Sequence, residues 1–180
     1  RRVLFRSPNE MGEIVVREKE PGFIMKGYFR NPEATASALK GGWMHTGDLG
    51  DYDEEGFFRY LGRKKDSLRR RGENVSAWEV ERVIAAHPAV EECAVIGVDS
   101  ELGEQDIKAF VKVLPDKTVE PLDLIKFCET RLAHYQVPRY ITFVDGFSKT
   151  ATERIQKDKL SRAKDDGWDL EKSGYKIARR

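Results

Sequence analysis

The sequence predicts an α+β protein in two parts, a β-rich segment over residues 1–65 and a small α+β domain over residues 66–180. Strand and turn signals dominate the first third, helical and strand patterns alternate in the remainder, and a stretch rich in Lys and Arg separates the two. With 180 residues, 39% of them hydrophobic, the chain is long enough to bury a core without disulfides or metals.

The first part carries the signals of a strand, a short helix and a hairpin. Residues 13–17 are rich in β-branched residues and precede a Pro-Gly turn, which predicts a strand. Residues 31–33 read Asn-Pro-Glu and predict a helix start, because Asn caps, Pro fits the first turn and Glu favours the helix dipole. Acidic residues followed by glycine at 53–56 predict a hairpin turn. The charged stretch 63–72 that follows predicts a polar linker.

The second part predicts a three-stranded sheet with helices on its faces. Ser76 and Glu79 form a capping box, so we expect a helix from residue 76 to about residue 86. A second, amphipathic helix is expected over residues 121–133. Apolar patterns predict strands over residues 90–98, 107–114 and 140–144, the second of them half-buried. The tail over residues 161–180 is polar, with Trp168 and Tyr175 as expected anchors.

Composition narrows the classes of function. The 32 basic and 31 acidic residues leave a formal net charge of +1, which argues against a nucleic-acid-binding module built on the Arg69–Arg71 cluster. Cys93 and Cys128 lie far apart in apolar contexts, and the three histidines lack metal-ligand spacing. We therefore expect two buried thiols in a reducing, cytoplasmic protein and no metal site in this chain. No apolar run approaches the ~20 residues of a membrane span.

Two short segments of the first part contain candidate ligand-binding residues. In the sequence Thr46-Gly47-Asp48, a carboxylate on a glycine turn is suited to accept hydrogen bonds from the vicinal hydroxyls of a ribose. The alternative is an Asp that only closes its own turn. Arg63 offers the fork of donors that binds a polyol or a phosphate, and its alternative is a solvated charge in the linker.

Two segments of the second part also allow both a functional and a purely structural interpretation. Residues 69–72 place three guanidinium groups beside a glycine, which favours either phosphate binding or charges that protect a strand edge. Residues 149–157 form a polar loop with the cations Lys149, Arg154 and Lys157. Positive charge held in place stabilises an anionic transition state, although a plain surface loop has the same composition.

The order of these segments resembles the adenylate-forming family of acyl-coenzyme A synthetases, which also contains luciferases and nonribosomal adenylation domains. The resemblance extends from about residue 11 to about residue 175. The segments are most similar to those of the crotonobetaine/carnitine–coenzyme A ligase group. The segments that carry it are Gly12-Glu13-Ile14-Val15-Val16, Gly27-Tyr28 with Pro32-Glu33-Ala34-Thr35, Gly42-Trp43 with His45-Thr46-Gly47-Asp48-Leu49-Gly50, Gly62-Arg63-Lys64-Lys65-Asp66, Gly72-Glu73-Asn74-Val75-Ser76 with Glu79-Val80-Glu81, and Thr150-Ala151-Thr152 before Ile155-Gln156-Lys157.

The resemblance implies that the chain is the last portion of a longer protein. Residues 1–65 would be the end of the large AMP-binding domain, and residues 66–180 the small C-terminal domain that joins it at a hinge. The phosphate-binding loop, the acyl pocket and the ligands of Mg²⁺ would lie outside this sequence, in which no G-x-x-x-x-G-K-[ST] occurs. A missing N-terminal domain of the same chain is therefore an expected partner.

Residue roles follow from the same resemblance. Asp48 and Arg63 would hold the ribose of ATP, and Tyr60 would line the nucleotide site. Lys65 would be the hinge residue about which the small domain turns between two half-reactions. Gly72 and Glu73 would lie in the loop that assists thioester formation beside coenzyme A.

Two adjacent positions depart from the family pattern. Family members carry Gly-Lys where this chain has Glu153-Arg154, and the lysine contacts the acyl carboxylate and phosphate during adenylation. Arg154 replaces it in one interpretation, Lys149 or Lys157 in a second, and in a third no cation of the small domain takes part. A glutamate would also reshape the loop if the glycine requires a positive φ.

The activity implied is that of an ATP-dependent acid–thiol ligase. A carboxylic acid and ATP would give an acyl-adenylate and pyrophosphate, and coenzyme A would then take the acyl group and release AMP. The alternative is a non-catalytic module that folds and at most binds nucleotide or protein weakly. Because the phosphate loop is absent, we expect the isolated chain to be inactive.

Overall fold

The computed structural model describes residues 2–4, 7–101 and 103–178, and the chain divides into two compact units, Arg1–Lys65 and Asp66–Arg180. We refer to them as the first and second units. Within these residues, the first unit has one sheet, and the second has two. In the part of the chain that the structure describes, no helix is long and apolar enough to cross a membrane.

The first unit is an antiparallel sheet with one short helix, α1. The long strand β4 pairs along one edge with β2, and along the other with β3 and then β5. β1 pairs with the outer edge of β2. The elements are β1 (Arg2–Leu4), β2 (Gly12–Arg17), α1 (Pro32–Ala38), β3 (Leu39–Lys40), β4 (Trp43–Tyr52) and β5 (Phe58–Arg63).

Local hydrogen bonds explain the helix start and the hairpin of the first unit, and both predictions are confirmed. The Asn31 side chain accepts from the Ala34 N–H at 3.0 Å, which caps α1 ahead of Pro32. At the hairpin, Asp53 Oδ1 accepts from the N–H of Glu55 at 3.0 Å and of Phe57 at 2.9 Å. These bonds close the turn between β4 and β5.

The second unit is a four-stranded sheet with two helices and an additional hairpin. The sheet order is β11-β10-β9-β8, with β10 parallel to β9 and the other pairs antiparallel. The elements are β6 (Ser67–Arg70), β7 (Glu73–Ser76), α2 (Ala77–Ala85), β8 (Val90–Asp99), β9 (Gln105–Val113), α3 (Pro121–Glu129), β10 (Tyr140–Phe143) and β11 (Trp168–Asp169). Single 3₁₀ turns occur at Lys64–Asp66 and Lys157–Lys159.

The core lies on both faces of the four-stranded sheet. On β9, Ile107, Ala109 and Val111 belong to a buried cluster that also contains the inner sides of α2 and α3. Phe110 lies on the opposite face of β9, because successive side chains of a strand alternate, and it belongs to a second cluster with Ile96, Val98 and Tyr140. The α+β fold is thereby confirmed, whereas β9 is buried on both faces rather than half-buried.

The segment 63–72 is not a linker, contrary to the sequence prediction. Ser67–Arg70 is a strand that pairs with Glu73–Ser76, because Leu68 and Val75 both turn into the core. The Arg70 guanidinium is buried and donates to the carbonyls of Tyr135 at 3.2 Å and Val137 at 2.5 Å. Burial lowers the pKa of Arg70 to about 10.

The polar tail also contributes to the fold, since β11 adds a fourth strand to the predicted three. Trp168 pairs with Ile141 and packs against the core, and the Tyr175 hydroxyl donates to Glu129 at 2.6 Å. Both predicted anchors are therefore confirmed. α3 ends at Glu129, earlier than the predicted residue 133.

Two cations, one buried and one partly buried, link distant segments to the sheet. Lys108 on β9 is fully buried, where it pairs with Asp166 and donates to the carbonyls of Ser161 at 3.2 Å and Ala163 at 2.6 Å. Arg139 reaches Asp106 at 3.0 Å and Asp169 at 3.3 Å. Paired and hydrogen-bonded charges of this kind are costly to break individually.

Both thiols are withdrawn from solvent, as predicted for Cys128 and in part for Cys93. Cys128 lies on the buried face of α3, and Cys93 on β8 is half-buried. Burial raises the pKa of each thiol to about 12. The two thiols are therefore protonated at neutral pH.

The buried ion pairs around Asp106 predict a large loss of stability when that residue is replaced. Asp106→Ala leaves both Arg70 and Arg139 short of a counter-charge, and we expect a loss of about 3–5 kcal/mol in the free energy of unfolding. The measurement is native-state hydrogen exchange at the amides of β8 and β9.

The matched control is Glu91→Ala, which removes the partner of Lys112 from an exposed pair at 2.7 Å. An exposed pair contributes about 0–1 kcal/mol, so this variant should stay close to the parent protein. Equal losses in the two variants would contradict the role given to Asp106.

Candidate functional site

The structure brings Asp48 and Arg63 together on neighbouring strands. The two residues are cross-strand partners on β4 and β5, and Arg63 Nε lies 2.9 Å from Asp48 Oδ1. Arg63 Nη1 also donates to the Thr46 carbonyl at 3.2 Å. The Asp48 side chain keeps 28% of its surface exposed, so the carboxylate is oriented by Arg63 and still reachable from solvent.

The backbone before Asp48 is held by Thr46 rather than by Asp48 itself. Thr46 Oγ1 donates to the Ile14 carbonyl at 2.7 Å and accepts from the Asp48 N–H at 3.1 Å. Gly47 has a φ of +72°, a left-handed conformation that glycine adopts without strain. The geometry favours an available carboxylate over an Asp that closes its own turn. Tyr60 lies further along β5, opposite Gly50, with 44% of its surface exposed.

A second cluster on the same sheet was missed by the sequence reasoning. Glu13 Oε2 on β2 lies 2.8 Å from Lys64 Nζ and 3.3 Å from His45 Nδ1. The hydrogen bond from Lys64 lowers the pKa of Glu13. The signal available in the sequence was a lone carboxylate directly before the apolar run at residues 14–16.

Gly72 and Glu73 occupy the turn and the first position of the β6–β7 hairpin. Arg71 and Gly72 have φ values of +54° and +80°. The Gly72 N–H donates to the carboxylate of Glu104, with distances of 3.0 and 3.3 Å to its two oxygens. Glu73 begins β7 opposite Arg70, and its side chain is exposed. The hairpin turn is thus tied to the connection between β8 and β9.

The loop that carries Arg154 is closed by its own backbone and by Thr150. Lys149 and Ile155 form an antiparallel bridge, and the Thr150 N–H donates to the Arg154 carbonyl at 2.9 Å. The Arg154 N–H donates back to Thr150 Oγ1 at 3.2 Å. Glu153 has a φ of +59°, so this position does need the left-handed conformation of a glycine, and the glutamate adopts it.

Arg154 differs from the two other cations of this loop. Lys149 is ion-paired with Glu92, and Lys157 Nζ lies 2.7 Å from Glu81 Oε1. Burial raises the pKa of Glu81, against the opposing effect of Lys157. Within the described ranges, the exposed Arg154 guanidinium has no ion pair or side-chain hydrogen bond. It is the cation of the three that is available to an external anion.

The two candidate loops of the second unit lie at opposite ends of the β8–β9 hairpin. The Gly72 turn contacts Glu104, next to Gln105, which pairs with Asp99 at the tip of the hairpin. The Arg154 loop is tied through Lys149 to Glu92 at the other end. Positions 92 and 99 of β8 are about 23 Å apart at the rise of an extended strand. No hydrogen bond or ion pair joins the two loops within the described residues.

Other groups of the described chain do not form a metal centre. Among residues 2–4, 7–101 and 103–178, no group of three or more His, Cys, Asp or Glu side chains is arranged to hold a metal ion.

Comparison with known proteins matches this architecture to one family. Residues 79–154 match the family described as the AMP-binding enzyme C-terminal domain. The chain is 39% identical to crotonobetaine/carnitine–CoA ligase of Salmonella arizonae over 154 residues, which are 85% of this chain and 30% of that protein. It is 44% identical to 2-succinylbenzoate–CoA ligase of Geobacillus kaustophilus over 156 residues, 87% of this chain and 31% of that protein.

Solved structures give the same result. The o-succinylbenzoate CoA synthetase of Bacillus subtilis, in complex with its acyl-adenylate intermediate, superimposes with a TM-score of 0.81 at 33% identity. That match covers 91% of this chain and 32% of the other. ATP-bound MatB of Rhodopseudomonas palustris gives a TM-score of 0.75 at 33% identity, covering 85% of this chain and 30% of the other.

The fold and the matched residues define a member of the AMP-binding, adenylate-forming enzymes, and the chain belongs to that family. Within it, residues 79–154 are the C-terminal domain. The resemblance that the motifs indicated is thereby confirmed. The chain spans about 30% of the length of the curated relatives it matches.

The positive φ of Glu153 predicts a difference between two substitutions that remove the same carboxylate. A non-glycine residue pays roughly 1–2 kcal/mol in the left-handed region, so Glu153→Gly should be more stable than Glu153→Ala by about 1 kcal/mol. Urea unfolding of the two variants provides the measurement. If Glu153→Ala were the more stable variant, the loop would not hold residue 153 at a positive φ.

Proposed function

We propose that the chain is the C-terminal part of an acyl-coenzyme A synthetase. The full protein would join a carboxylic acid to ATP, release pyrophosphate and hold the acyl-adenylate until the thiol of coenzyme A displaces AMP. Support comes from the family assignment and from relatives that are named CoA ligases. A carboxylate is a poor acyl donor until its oxygen becomes part of a good leaving group, and adenylation provides one.

The Asp48–Arg63 pair would bind the ribose of ATP. A carboxylate accepts from two vicinal hydroxyls, and such hydrogen bonds to a charged acceptor are the stronger ones. Arg63 fixes the carboxylate through Nε and has further N–H groups for the ribose oxygens. Tyr60 would line the same nucleotide site from β5, where its ring is partly exposed.

The single observation that carries the two-step reaction is the placement of the two loops at opposite ends of the β8–β9 hairpin. A loop at one end and a loop at the other cannot serve one reaction centre at the same time. We infer that the second unit presents the Arg154 loop for adenylation and the Gly72–Glu73 loop for thioester formation, turning about Lys65 between them.

In the adenylation step, Arg154 would stabilise the developing negative charge. Negative charge develops on the acid and the α-phosphate as the carboxylate attacks, and a guanidinium without a protein partner is free to stabilise it. Lys149 and Lys157 already neutralise carboxylates of their own unit. We therefore favour Arg154 over these two lysines as the replacement for the family lysine.

Coenzyme A, ATP and the acid are the substrates of this proposal. Named relatives use different acids, carnitine or crotonobetaine in one case and 2-succinylbenzoate in another, so the acid of this protein stays open. One neighbouring structure is of o-succinylbenzoate CoA synthetase in complex with ATP and a magnesium ion. We place the acyl pocket and the ligands of Mg²⁺ in the remainder of the protein.

The ribose assignment predicts a defect specific to ATP. In the full-length enzyme, Asp48→Ala should lower kcat/KM for ATP by about tenfold to a hundredfold, because a hydrogen bond to a charged group is worth roughly 1.5–3 kcal/mol. Acid-dependent exchange of pyrophosphate into ATP measures this step.

Glu54→Ala, which removes an exposed carboxylate from the neighbouring hairpin turn, is the control and should leave the exchange unchanged. An unaltered kcat/KM in Asp48→Ala would remove this residue from the ribose site. A parent enzyme that shows no acid-dependent exchange would refute the proposed reaction itself.

The Arg154 assignment predicts a defect confined to adenylation. Arg154→Ala should slow acyl-adenylate formation by about 10²-fold, the usual order for one lost electrostatic stabiliser. Thioester formation from a pre-made acyl-adenylate should be nearly intact, since the other loop serves that step. Single-turnover assays of the two half-reactions measure the difference.

Lys149→Ala and Lys157→Ala are the matched comparisons, because each removes a cation from the same segment. Arg154→Lys shows whether a point charge suffices or the planar guanidinium is needed. An adenylation defect at either lysine with a normal Arg154→Ala variant would reverse the assignment.

A further inference from the structure

Lys65 lies between two ion pairs, each of which ties a neighbouring residue into a different unit. On its N-terminal side, Lys64 Nζ lies 2.8 Å from Glu13 Oε2 in the first unit. On its C-terminal side, Asp66 Oδ2 lies 3.7 Å from Lys157 Nζ in the second unit. The side chain of Lys65 is exposed and has no ion pair or side-chain hydrogen bond within the described chain.

The first ion pair fixes Lys64 to a strand in the middle of its sheet. Glu13 is on β2, which is hydrogen-bonded to β1 on one side and β4 on the other. The Glu13 side chain is only 18% exposed and also contacts His45 at 3.3 Å. The hydrogen bond from Lys64 lowers the pKa of Glu13, so this carboxylate is charged at neutral pH.

The second ion pair fixes Asp66 to a helix and a strand together. Lys157 Nζ also lies 2.7 Å from Glu81 Oε1 on α2, and Glu81 Oε1 accepts from the Val95 N–H of β8 at 2.7 Å. Asp66 is thereby linked through Lys157 and Glu81 to the core of the second unit. Lys157 is two residues from Ile155, the bridge residue of the Arg154 loop.

We propose that the Glu13–Lys64 pair and the Asp66–Lys157–Glu81 group are anchors that confine rotation to the backbone of Lys65. This inference rests on the proposed function, in which Lys65 is the hinge. A pivot of one residue has few rotatable bonds, and therefore a small number of defined end states. The anchors act through the hinge, so their residues are positioning residues and not catalytic ones.

Hydrogen exchange of the 180-residue chain tests the anchors without any catalytic step. Glu13→Gln and Lys157→Met each weaken one anchor, and the amides of residues 61–68 should then exchange about two- to fivefold faster, the range expected for one lost ion pair. Lys157→Arg should retain the parental protection. The control, Lys112→Met, breaks an ion pair with Glu91 and should leave these amides unchanged.

Asp66→Asn covers the case in which Lys157→Met leaves Glu81 unpaired and destabilises the whole unit. This variant keeps the Lys157–Glu81 pair and removes only the link to the hinge, so faster exchange must stay local to residues 61–68. Parental protection in both Glu13→Gln and Asp66→Asn would overturn the proposal. So would an equal increase in Lys112→Met.

In the full-length enzyme, a second measurement compares kcat with KM for ATP. A purely structural role of these residues would not change kcat selectively. With an anchor weakened, kcat of the complete reaction should fall about threefold or more while KM for ATP stays within about twofold, because orientation changes and the nucleotide site does not. Lys157→Arg should restore kcat. A parent enzyme without acid-dependent pyrophosphate exchange would refute the proposed function, and the exchange data on the isolated chain would still decide the anchors.

Discussion

The antiparallel pairing of β8 with β9 is the constraint on which the second unit depends. The hairpin contributes residues to both buried clusters, packs against α2 and α3 on one face, and has a candidate loop near each end. Because an extended strand has a fixed rise, its length sets a separation of about 23 Å that side-chain motion cannot close. In the proposed function each reaction step uses one of these loops, and this separation is the reason for proposing that the unit turns as a body between the two steps.

Five cations of this unit differ in whether they have partners within the protein. Arg70 and Lys108 are buried against carbonyls and carboxylates, and Lys149 and Lys157 each have a carboxylate partner. Arg154 stands apart, since its loop is closed by Thr150 and the backbone and does not use the guanidinium. Among these five cations, position in the fold, more than residue type, decides which head group is available for chemistry.

The sequence predicted those features that depend on local chemistry. The Asn31 cap, the turn after Asp53 and the capping of α2 by Ser76 each require residues within a few positions of one another. Its error over the segment 63–72 concerns charges whose partners are remote in the sequence. The pairing of Lys64 with Glu13 spans 51 positions, and that of Arg70 with Val137 spans 67. A cluster of Lys and Arg resembles a solvated linker until the fold supplies its partners, so a buried strand was mistaken for one.

The Asp48–Arg63 pair is the part of the candidate site that is both predicted from the sequence and assembled by the structure. Its roles came from the order of motifs, while its geometry comes from the register of β4 with β5, which no motif specifies. At Glu153 and Arg154 the sequence differs from what the resemblance implies, and the structure shows the backbone conformation at that point. Residue 153 has a positive φ, the conformation that a glycine adopts without strain, and the glutamate at this position adopts it as well. A left-handed residue 153 therefore does not require a glycine in this loop, and the change that bears on the chemistry is at residue 154: a planar guanidinium stands where the resemblance implies an ammonium.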